Sequence, residues 1–520
     1  ILGVVYGVFS FRVMNAPRRS AWEWGGLPPL PVAGTGQKAA AEPPHSKARR
    51  AEIKPSDWAS YLAASKLEIR SFLLSLPFLA MMLLWIGLAA TELLNDINGG
   101  EYGSASYPAA GMLFGTIGQP LTLLTTILLI YASAEIVWRE RSLRLSGILH
   151  ATPSANIVFV ASKCTALAAL IGVVTATGLL TMNAIQLMRG WPIEPLLMLQ
   201  FAYFLAAPLL LFAFVAVAIQ TLSPHKYLGM MIVLLVAVIG QLGPVMSWAH
   251  PLLRIGWVPD VLYSDMNGFG HPAAFHWFVL YWASLSGLFL LVANASWRHG
   301  ALRKLPQSGS AAAIVLAAIF LGSGAFTFYN TNVLNDYRTD EEVLTWRVDY
   351  EKSYKQFTTR PQPRITAIQA NVDLDPERRH ARVRGTYSLV NDTKQPIDEI
   401  VIAVRNDASS SSVTMPSAQM RHDARFNQHL FTLTPPLAPG AQTVAQFDVT
   451  YDARGFEPEE PRDPLIVENG SYIMSYRAFP TIGYRASYEL RGARARQGRG
   501  LPASSGADTA REIQADAGVQ

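Results

Sequence analysis

The sequence predicts a multi-span α-helical membrane bundle followed by an antiparallel β saddle or sandwich domain. Of the 520 residues, 50% are hydrophobic and 16% are charged, which is apolar for a soluble protein. Several uncharged runs approach or exceed the ~18 residues expected of a membrane-spanning helix. The last run, Ala311–Phe328, is followed at once by a charged stretch. Beyond residue 364 apolar and polar residues alternate, as they do in strands.

Residues 1–70 precede the first complete span. The apolar run before Arg12 has neither a charged region in front of it nor a cleavage site, so we interpret 1–13 as the end of a preceding transmembrane helix. On this interpretation the chain is a fragment. Residues 14–70 are rich in proline, glycine and alanine, and their excess of lysine and arginine predicts a cytoplasmic linker. A short helix is expected near Trp58–Ile69, at the membrane surface.

The membrane domain is expected to cover residues 71–328 and to contain seven spans. The loop from Glu92 to Ala110 has acidic residues but no lysine or arginine, whereas the next loop contains Arg139, Arg141 and Arg144. The positive-inside rule therefore places the arginine-rich loop in the cytoplasm and the region after the seventh span outside. The predicted spans are Ser71–Thr91, Met112–Ser133, Ile157–Thr181, Leu196–Thr221, Gly229–Trp248, Ala274–Ala295 and Ala311–Phe328.

Polar side chains within the spans allow two interpretations. They would form a polar pathway, because amide and ionisable groups are costly in hydrocarbon, or they would hydrogen-bond between helices or lie at the membrane interface near the end of a span. We favour the second. Lys163 lies near the cytoplasmic start of its helix, from which its side chain is expected to reach the surface. The set comprises Gln119, Lys163, Asn183, Gln200, Gln220 and Gln241.

The external loop before the sixth span holds histidines and aspartates, but no compact ligand spacing. We therefore favour a loop that caps the outer face of the bundle over a metal site. These residues are His250, Asp260, Asp265, His271 and His276. The single cysteine, Cys164, lies in an apolar run and is interpreted as a small residue of the membrane core.

The region after the spans is expected to comprise a connector over 329–363, a β-rich domain over 364–490 and a disordered tail over 491–520. The sequence places Ala381, Val383, Tyr387 and Leu389 on one face of a strand. A later strand alternates in the same way, with Ala445, Phe447, Val449 and Tyr451. Six to eight strands are predicted. The isolated segment 364–484 is expected to be soluble but only marginally stable.

Motifs for the common hydrolytic chemistries are missing from the sequence. It has no G-x-x-x-x-G-K-[ST] phosphate loop, no H-E-x-x-H zinc motif and no G-x-S-x-G elbow. We therefore expect no catalytic residue, no metal ligand and no cofactor in this chain. No basic stripe with interleaved aromatic residues is present, so nucleic acid is not an expected partner.

The most informative membrane feature is the loop after the second span, from Glu135 to Lys163. Its residue pattern suits two roles equally, an ATPase-coupling element or an interfacial helix on anionic lipid. In the first role Leu143, Leu145 and Ile148 would enter an ATPase groove while the arginines meet acidic rims. The candidate coupling residues are Arg139, Glu140, Arg141, Leu143, Arg144 and Leu145.

This loop, with its Glu140–Arg141 pair and its Ala151-Thr152-Pro153 turn before Lys163, resembles the exporter-type (type-two) ABC transporter permeases. In that family the corresponding segment is an amphipathic element that sits on the ATPase subunit, which tilts the interpretation toward coupling. The resemblance implies transport of an unknown substrate with a separate cytoplasmic ATPase. It also implies a second permease half or a homodimer, surrounded by lipid of the bacterial inner membrane.

The external region resembles bacterial proteins in which such a permease is fused to a periplasmic gluzincin aminopeptidase-like domain. The likeness runs from about Ser71 to Leu490, and its most specific late part is FPTIGY, residues 479–484. The family's G-x-M-E-N and H-E-x-x-H motifs are absent, and Val467–Gly470 is not a match. No catalytic residue can therefore be transferred. The alternatives are a membrane-anchored zinc aminopeptidase fragment without its catalytic domain, and a non-transporting scaffold that presents the β domain.

Overall fold

A computed structural model describes residues 57–502 of the chain, apart from several short gaps. The predicted helix end over 1–13 and most of the predicted linker lie outside the described residues. The gaps within the described region are 101–103, 147–148, 150, 153, 243–249, 255, 262, 264–267, 299–306, 336, 457–464, 467–470, 472, 474 and 491.

The first half of the described chain is a helical bundle. Six of its helices are long and apolar enough to cross a membrane, so the chain is a multi-pass membrane protein. The short helix expected near Trp58–Ile69 is present as α1. The helices of this half are α1 (Asp57–Leu73), α2 (Leu76–Asn98), α3 (Ala110–Ser142), α4 (Asn156–Met188), α5 (Pro195–Leu222), α6 (Lys226–Leu242), α7 (Ala273–Ser296) and α8 (Gln307–Phe328).

We name the two ends of the bundle by the segments that lie there. The loop end holds the connection between α3 and α4, and the exit end is where α8 leaves the bundle. Helix α6 has only 17 residues, fewer than the other apolar helices, and the rest of the predicted span Gly229–Trp248 falls mainly outside the described residues. The number of seven spans therefore stays a prediction.

Contacts of the residues at the start of α6 and after it nevertheless show the direction of the chain. The ammonium group of Lys226 lies 2.6 Å from the Glu135 carboxylate near the loop end. The ring of His250 lies 2.9 Å from the Asn332 side chain at the exit end. The chain therefore passes from one end of the bundle to the other between these two residues.

Helices α3, α4 and α5 form the centre of the bundle. Their buried side chains include Leu113, Leu167 and Phe201, all fully inaccessible to solvent. Gly178 of α4 lies so close to α3 that an added Cβ would be 3.1 Å from a Leu121 methyl carbon. In the most apolar 18 residues of the last membrane helix (Gly309–Leu334), which includes most of α8, only 11% are buried. The corresponding share for α4 is 61%, so α8 lies at the periphery of the bundle.

The chain leaves α8 through a π-helical turn, Tyr329–Leu334, that contacts the β domain. The Asn335 side-chain amide donates to the carbonyl oxygens of Arg454 (3.0 Å) and Phe456 (3.2 Å). Gly455 has φ +59°, and an added Cβ would lie 2.3 Å from the Asn330 side-chain oxygen. Glycine is therefore required where the turn meets the loop after the last long strand.

The second half contains two four-stranded antiparallel sheets, as the sequence predicts. Sheet A has the strand order β1-β2-β7-β4, and sheet B has the order β5-β6-β3-β8. The strands are β1 (Arg364–Asp375), β2 (His380–Val390), β3 (Ile397–Ala403), β4 (Ser410–Thr414), β5 (Ala418–Asp423), β6 (Gln428–Leu437), β7 (Gln442–Asp452) and β8 (Thr481–Ile482).

The predicted alternation in the two longest core strands is confirmed. In β2 the residues Ala381, Val383, Tyr387 and Leu389 are all buried. Three of them pair with buried residues of β7, namely Ala381 with Tyr451, Val383 with Val449 and Tyr387 with Ala445, and the buried Phe447 pairs with Gly385. Both sets face Ile400, Ile402, Phe431 and Leu433 of sheet B across the core.

Helix α9 (Asp340–Tyr354) adds a third layer that the sequence did not reveal within the predicted connector. Thr339 and Glu342 form a capping box at its start. Its Tyr350 is fully buried and packs with Val401, Phe426 and Leu430, on the face of sheet B opposite the sandwich core. Sheet B is therefore apolar on both faces.

The prediction of a disordered tail from residue 491 is wrong for residues 492–502. After the short α10 (Ser475–Ala478), this segment contains α11 (Ala493–Gly498), in which Arg496 is 1% exposed. Its guanidinium donates to both Glu351 carboxylate oxygens, at 2.6 and 2.8 Å. The segment has few apolar residues, and a buried bidentate ion pair with α9 orders it instead. Residues 503–520 lie outside the described part.

Candidate functional site

The loop end of the bundle contains a partly buried group of four charges, which we name the loop cluster: Glu68, Arg139, Glu140 and Lys163. Lys163 of α4 is fully buried. Its ammonium group donates to a carboxylate oxygen of Glu68 at 3.0 Å and of Glu140 at 2.8 Å. The expectation that Lys163 reaches the surface is therefore wrong. Two carboxylates lie within its reach inside the bundle, so the charge is neutralised there.

Arg139 completes the loop cluster. Its guanidinium pairs with the Glu68 carboxylate and also donates to the Ser71 hydroxyl. Glu68 thus accepts from both basic residues, and the cluster holds two positive and two negative charges. Because these residues come from three segments, the cluster joins α1 to the C-terminal end of α3 and to α4. Glu68 and Lys163 are buried and Arg139 and Glu140 are half-buried, and this burial is tolerable because the four charges balance.

The chain turns sharply where α3 ends. The backbone N–H groups of Leu143 and Leu145 donate to the carbonyls of Arg139 and Glu140, at 3.0 and 2.9 Å. Arg144 between them has φ 57°, the left-handed region that few side chains adopt. Leu143 is 61% exposed and Leu145 is 43% exposed. We name Leu143, Arg144 and Leu145 the loop tip.

The six predicted coupling residues therefore divide into two groups. Arg139 and Glu140 pair with residues inside the bundle, and Arg141 stacks 4.6 Å from the Trp138 ring centre. Only the three loop-tip residues are presented outward. Ile148, the third apolar residue proposed for the interaction, lies outside the described residues.

The return side of the loop is attached to other helices. The Arg298 guanidinium, just after α7, donates to the carbonyl oxygens of Thr152 (3.2 Å) and Ser154. The Asp57 carboxylate of α1 accepts from the backbone N–H of Ala155 at 3.3 Å. A force on the loop tip would therefore reach α1, α3, α4 and α7 through short polar contacts.

The interhelical interpretation of the polar residues is confirmed for two of the six. Lys163 pairs with α1 and α3, and the Gln220 side-chain oxygen of α5 accepts from the Trp138 indole N–H at 3.1 Å. Gln119 and Gln200 are exposed, and Asn183 is half-buried. The side chain of Gln241 lies outside the described residues.

The predicted cap at the exit end holds several of the histidines and aspartates named from the sequence. The His250 ring bonds Asn332 of the π turn, and Asp260 is exposed. Asp265 lies outside the described residues. Within the described ranges, no three His, Cys, Asp or Glu residues lie close enough together to hold a metal ion.

The sequence signalled only part of the loop cluster. A lysine in an apolar run needs a carboxylate partner, and the sequence places Glu140 on the preceding loop. Glu68, Ser71 and Arg298 were missed, because they approach the loop only after α1 and α7 have packed against it. No known family model matches the chain, and no curated protein matches it either.

Proposed function

We propose that this chain is the membrane permease subunit of an ABC exporter-like system. A separate cytoplasmic ATPase binds the loop tip, and its closure and opening move the bundle between outward-open and inward-open states. The subunit works in a pair, with a second copy or a second permease half. The loop end faces the cytoplasm in this proposal, and the β domain lies in the periplasm.

The observation that carries the proposal is the contrast between the loop tip and its base. Leu143 and Leu145 expose apolar side chains on either side of Arg144, where they are available to an apolar partner surface. The base is attached to neighbouring helices by the loop cluster and by Arg298. A rigid base with an apolar tip suits an element that receives force from a partner.

The competing role is an anchor on anionic lipid, since an exposed leucine pair beside an arginine also suits the membrane interface. The two roles differ in what touches Leu143. A photo-reactive amino acid at Leu143, activated in native membranes, should cross-link an ATPase subunit. Leu187, which is 60% exposed at the exit end of α4, provides the matched control position and should not do so.

The captured ATPase is then purified and added to the permease in lipid nanodiscs. We expect ATP hydrolysis that depends on the permease. Leu143→Asp/Leu145→Asp should weaken the association at least about tenfold, because two carboxylates would have to enter an apolar groove. The matched variant Leu143→Met/Leu145→Met should associate normally. Cross-links from Leu143 to lipid alone, or unchanged ATPase binding by the aspartate variant, would contradict the coupling role.

A further inference from the structure

A cavity of about 790 Å³ opens at the exit end of the bundle. One wall is the first part of α5, with Glu194 at its N-cap and Tyr203 and Phe204 two turns further on. The facing wall is formed by Tyr263 and Phe269 and by His276 in the first turns of α7. Its volume is in the range of pockets that enclose small organic molecules.

The rings around this cavity pack against one another. Phe204 and Phe269 have centroids 4.5 Å apart, and Tyr263 and Phe269 have centroids 5.1 Å apart. The His276 ring is stacked on Tyr203 at 5.7 Å, with 19° between the ring planes. These contacts hold the aromatic walls in place, so the cavity does not have to form around a ligand.

The acidic side chain that lines the cavity is Glu194, and the other polar lining groups are amide, phenol and imidazole groups. Glu194 supplies a carboxylate, and no lysine or arginine is among the described residues that line the cavity. Gln200 is exposed on the same helix face as Tyr203. An exposed amide is costly against lipid, so this face favours a polar occupant over acyl chains. Aromatic faces attract cations, and a carboxylate adds to that preference.

We propose that the exit-end cavity binds an organic cation that carries bulky apolar or aromatic groups. The apolar groups pack against Tyr203, Phe204 and Phe269, and the positive charge lies within reach of the ring faces and of the Glu194 carboxylate. That this cation is also the transported substrate rests on the permease proposal, whereas its binding does not.

The probe is tetraphenylphosphonium, and the matched comparison ligand, measured in a separate experiment, is tetraphenylborate, which has nearly the same shape and the opposite charge. Binding to the purified full chain is measured by equilibrium dialysis against detergent micelles without protein. We expect saturable binding of the phosphonium at about one per chain. The borate, dialysed alone against the same protein in a separate cell, should not bind saturably, because the cavity selects for positive charge.

Two substitutions test the residues. Glu194→Gln and Tyr203→Leu should each weaken phosphonium binding by about threefold to thirtyfold, while Tyr203→Phe, which keeps the ring, should bind like the wild type. Tyr227→Leu is the control, since this tyrosine is 77% exposed at the other end of the bundle. Thermal unfolding of each variant identifies any that do not fold.

Three results would overturn the proposal. They are no saturable phosphonium binding by the wild type, equal binding of the borate, and unchanged binding by a folded Tyr203→Leu variant. No ATPase is present in this experiment. A failure here therefore leaves the loop-tip result standing, and a failure at the loop tip does not affect cation binding.

Discussion

At the scale of single residues, Lys163 shows how charge balance controls the stability of the bundle. Its ammonium group is fully buried between two carboxylates. Lys163→Met would leave Arg139 alone to compensate Glu68 and Glu140. Removal of one partner from a buried ion pair costs about 3–5 kcal/mol, so we expect a clear fall in the thermal unfolding temperature of the detergent-solubilised protein.

Two variants serve as controls for this prediction. Lys163→Met/Glu140→Gln restores charge balance and should recover most of the lost stability. Lys226→Met breaks the Glu135 pair, whose side chains are 31% and 36% exposed, and should cost only about 0–1 kcal/mol. A Lys163→Met protein that unfolds at the wild-type temperature would show that the loop cluster does not stabilise the bundle.

His429 makes the β domain sensitive to pH. It is 2% exposed and stacks on His422 at 4.4 Å, and burial together with the charge of His422 lowers the pKa of His429 to about 4. The unfolded chain takes up this proton near pH 6.5, well before the folded one. The stabilisation is therefore complete above pH 6.5 and is lost as the pH falls toward 4.

The lowered pKa of His429 corresponds to a contribution of at most about 3 kcal/mol to stability. This contribution should appear as a fall in the free energy of unfolding between pH 7 and pH 4. The measurement is urea unfolding of a fragment over residues 338–502. In His429→Gln this part of the pH dependence should disappear, while the loss caused by carboxylate protonation remains. Identical pH profiles for the two proteins would rule out His429 as the source.

At the scale of elements, helix α9 decides where the β domain begins. A fragment over 364–484 exposes Val401, Phe426 and Leu430, which α9 covers in the whole chain. Exposure of three large apolar side chains costs on the order of 5 kcal/mol. A fragment over 338–502 keeps α9 and the Glu351–Arg496 pair.

We therefore expect the 338–502 fragment to be monomeric and to unfold cooperatively. The 364–484 fragment should be much less stable or should aggregate. Circular dichroism during heating, together with size-exclusion chromatography, distinguishes the two. Equal melting temperatures for both fragments would mean that α9 is not part of the domain.

At the scale of the whole molecule, the helical bundle has a loop end and an exit end, and the charge distribution predicts which of them is cytoplasmic. The loop end carries Arg139, Arg141 and Arg144, whereas the exit end leads into the β domain. In a Cys164→Ala background, Ala105→Cys at the exit end should react with a membrane-impermeant maleimide in intact cells. Ser142→Cys at the loop end should react only after permeabilisation.

Ala105 and Ser142 are both exposed, so burial does not explain a difference in labelling between the two positions. Labelling of Ser142→Cys in intact cells would reverse the orientation and would remove the cytoplasmic ATPase from the proposed function. Labelling of Ala105→Cys should also be insensitive to permeabilisation.

The sequence by itself determined the two kinds of architecture and the buried side chains of β2 and β7. Apolar length predicts membrane helices, and the period of two in β2 and β7 predicts which residues are buried, because both signals are local. It also identified the six candidate coupling residues, which lie at and after the end of α3, as one segment. Only the tertiary structure decided that Arg139 and Glu140 face the bundle, while Leu143, Arg144 and Leu145 face outward.

The remaining features depend on residues far apart in the chain. Lys163 lies 95 positions from Glu68, and Arg496 lies 145 positions from Glu351. No local pattern records such pairs, so Lys163 was expected at the surface and residues 492–502 were expected to be disordered. Burial of a charge is favourable only when packing delivers its partner, and packing is a property of the folded chain as a whole.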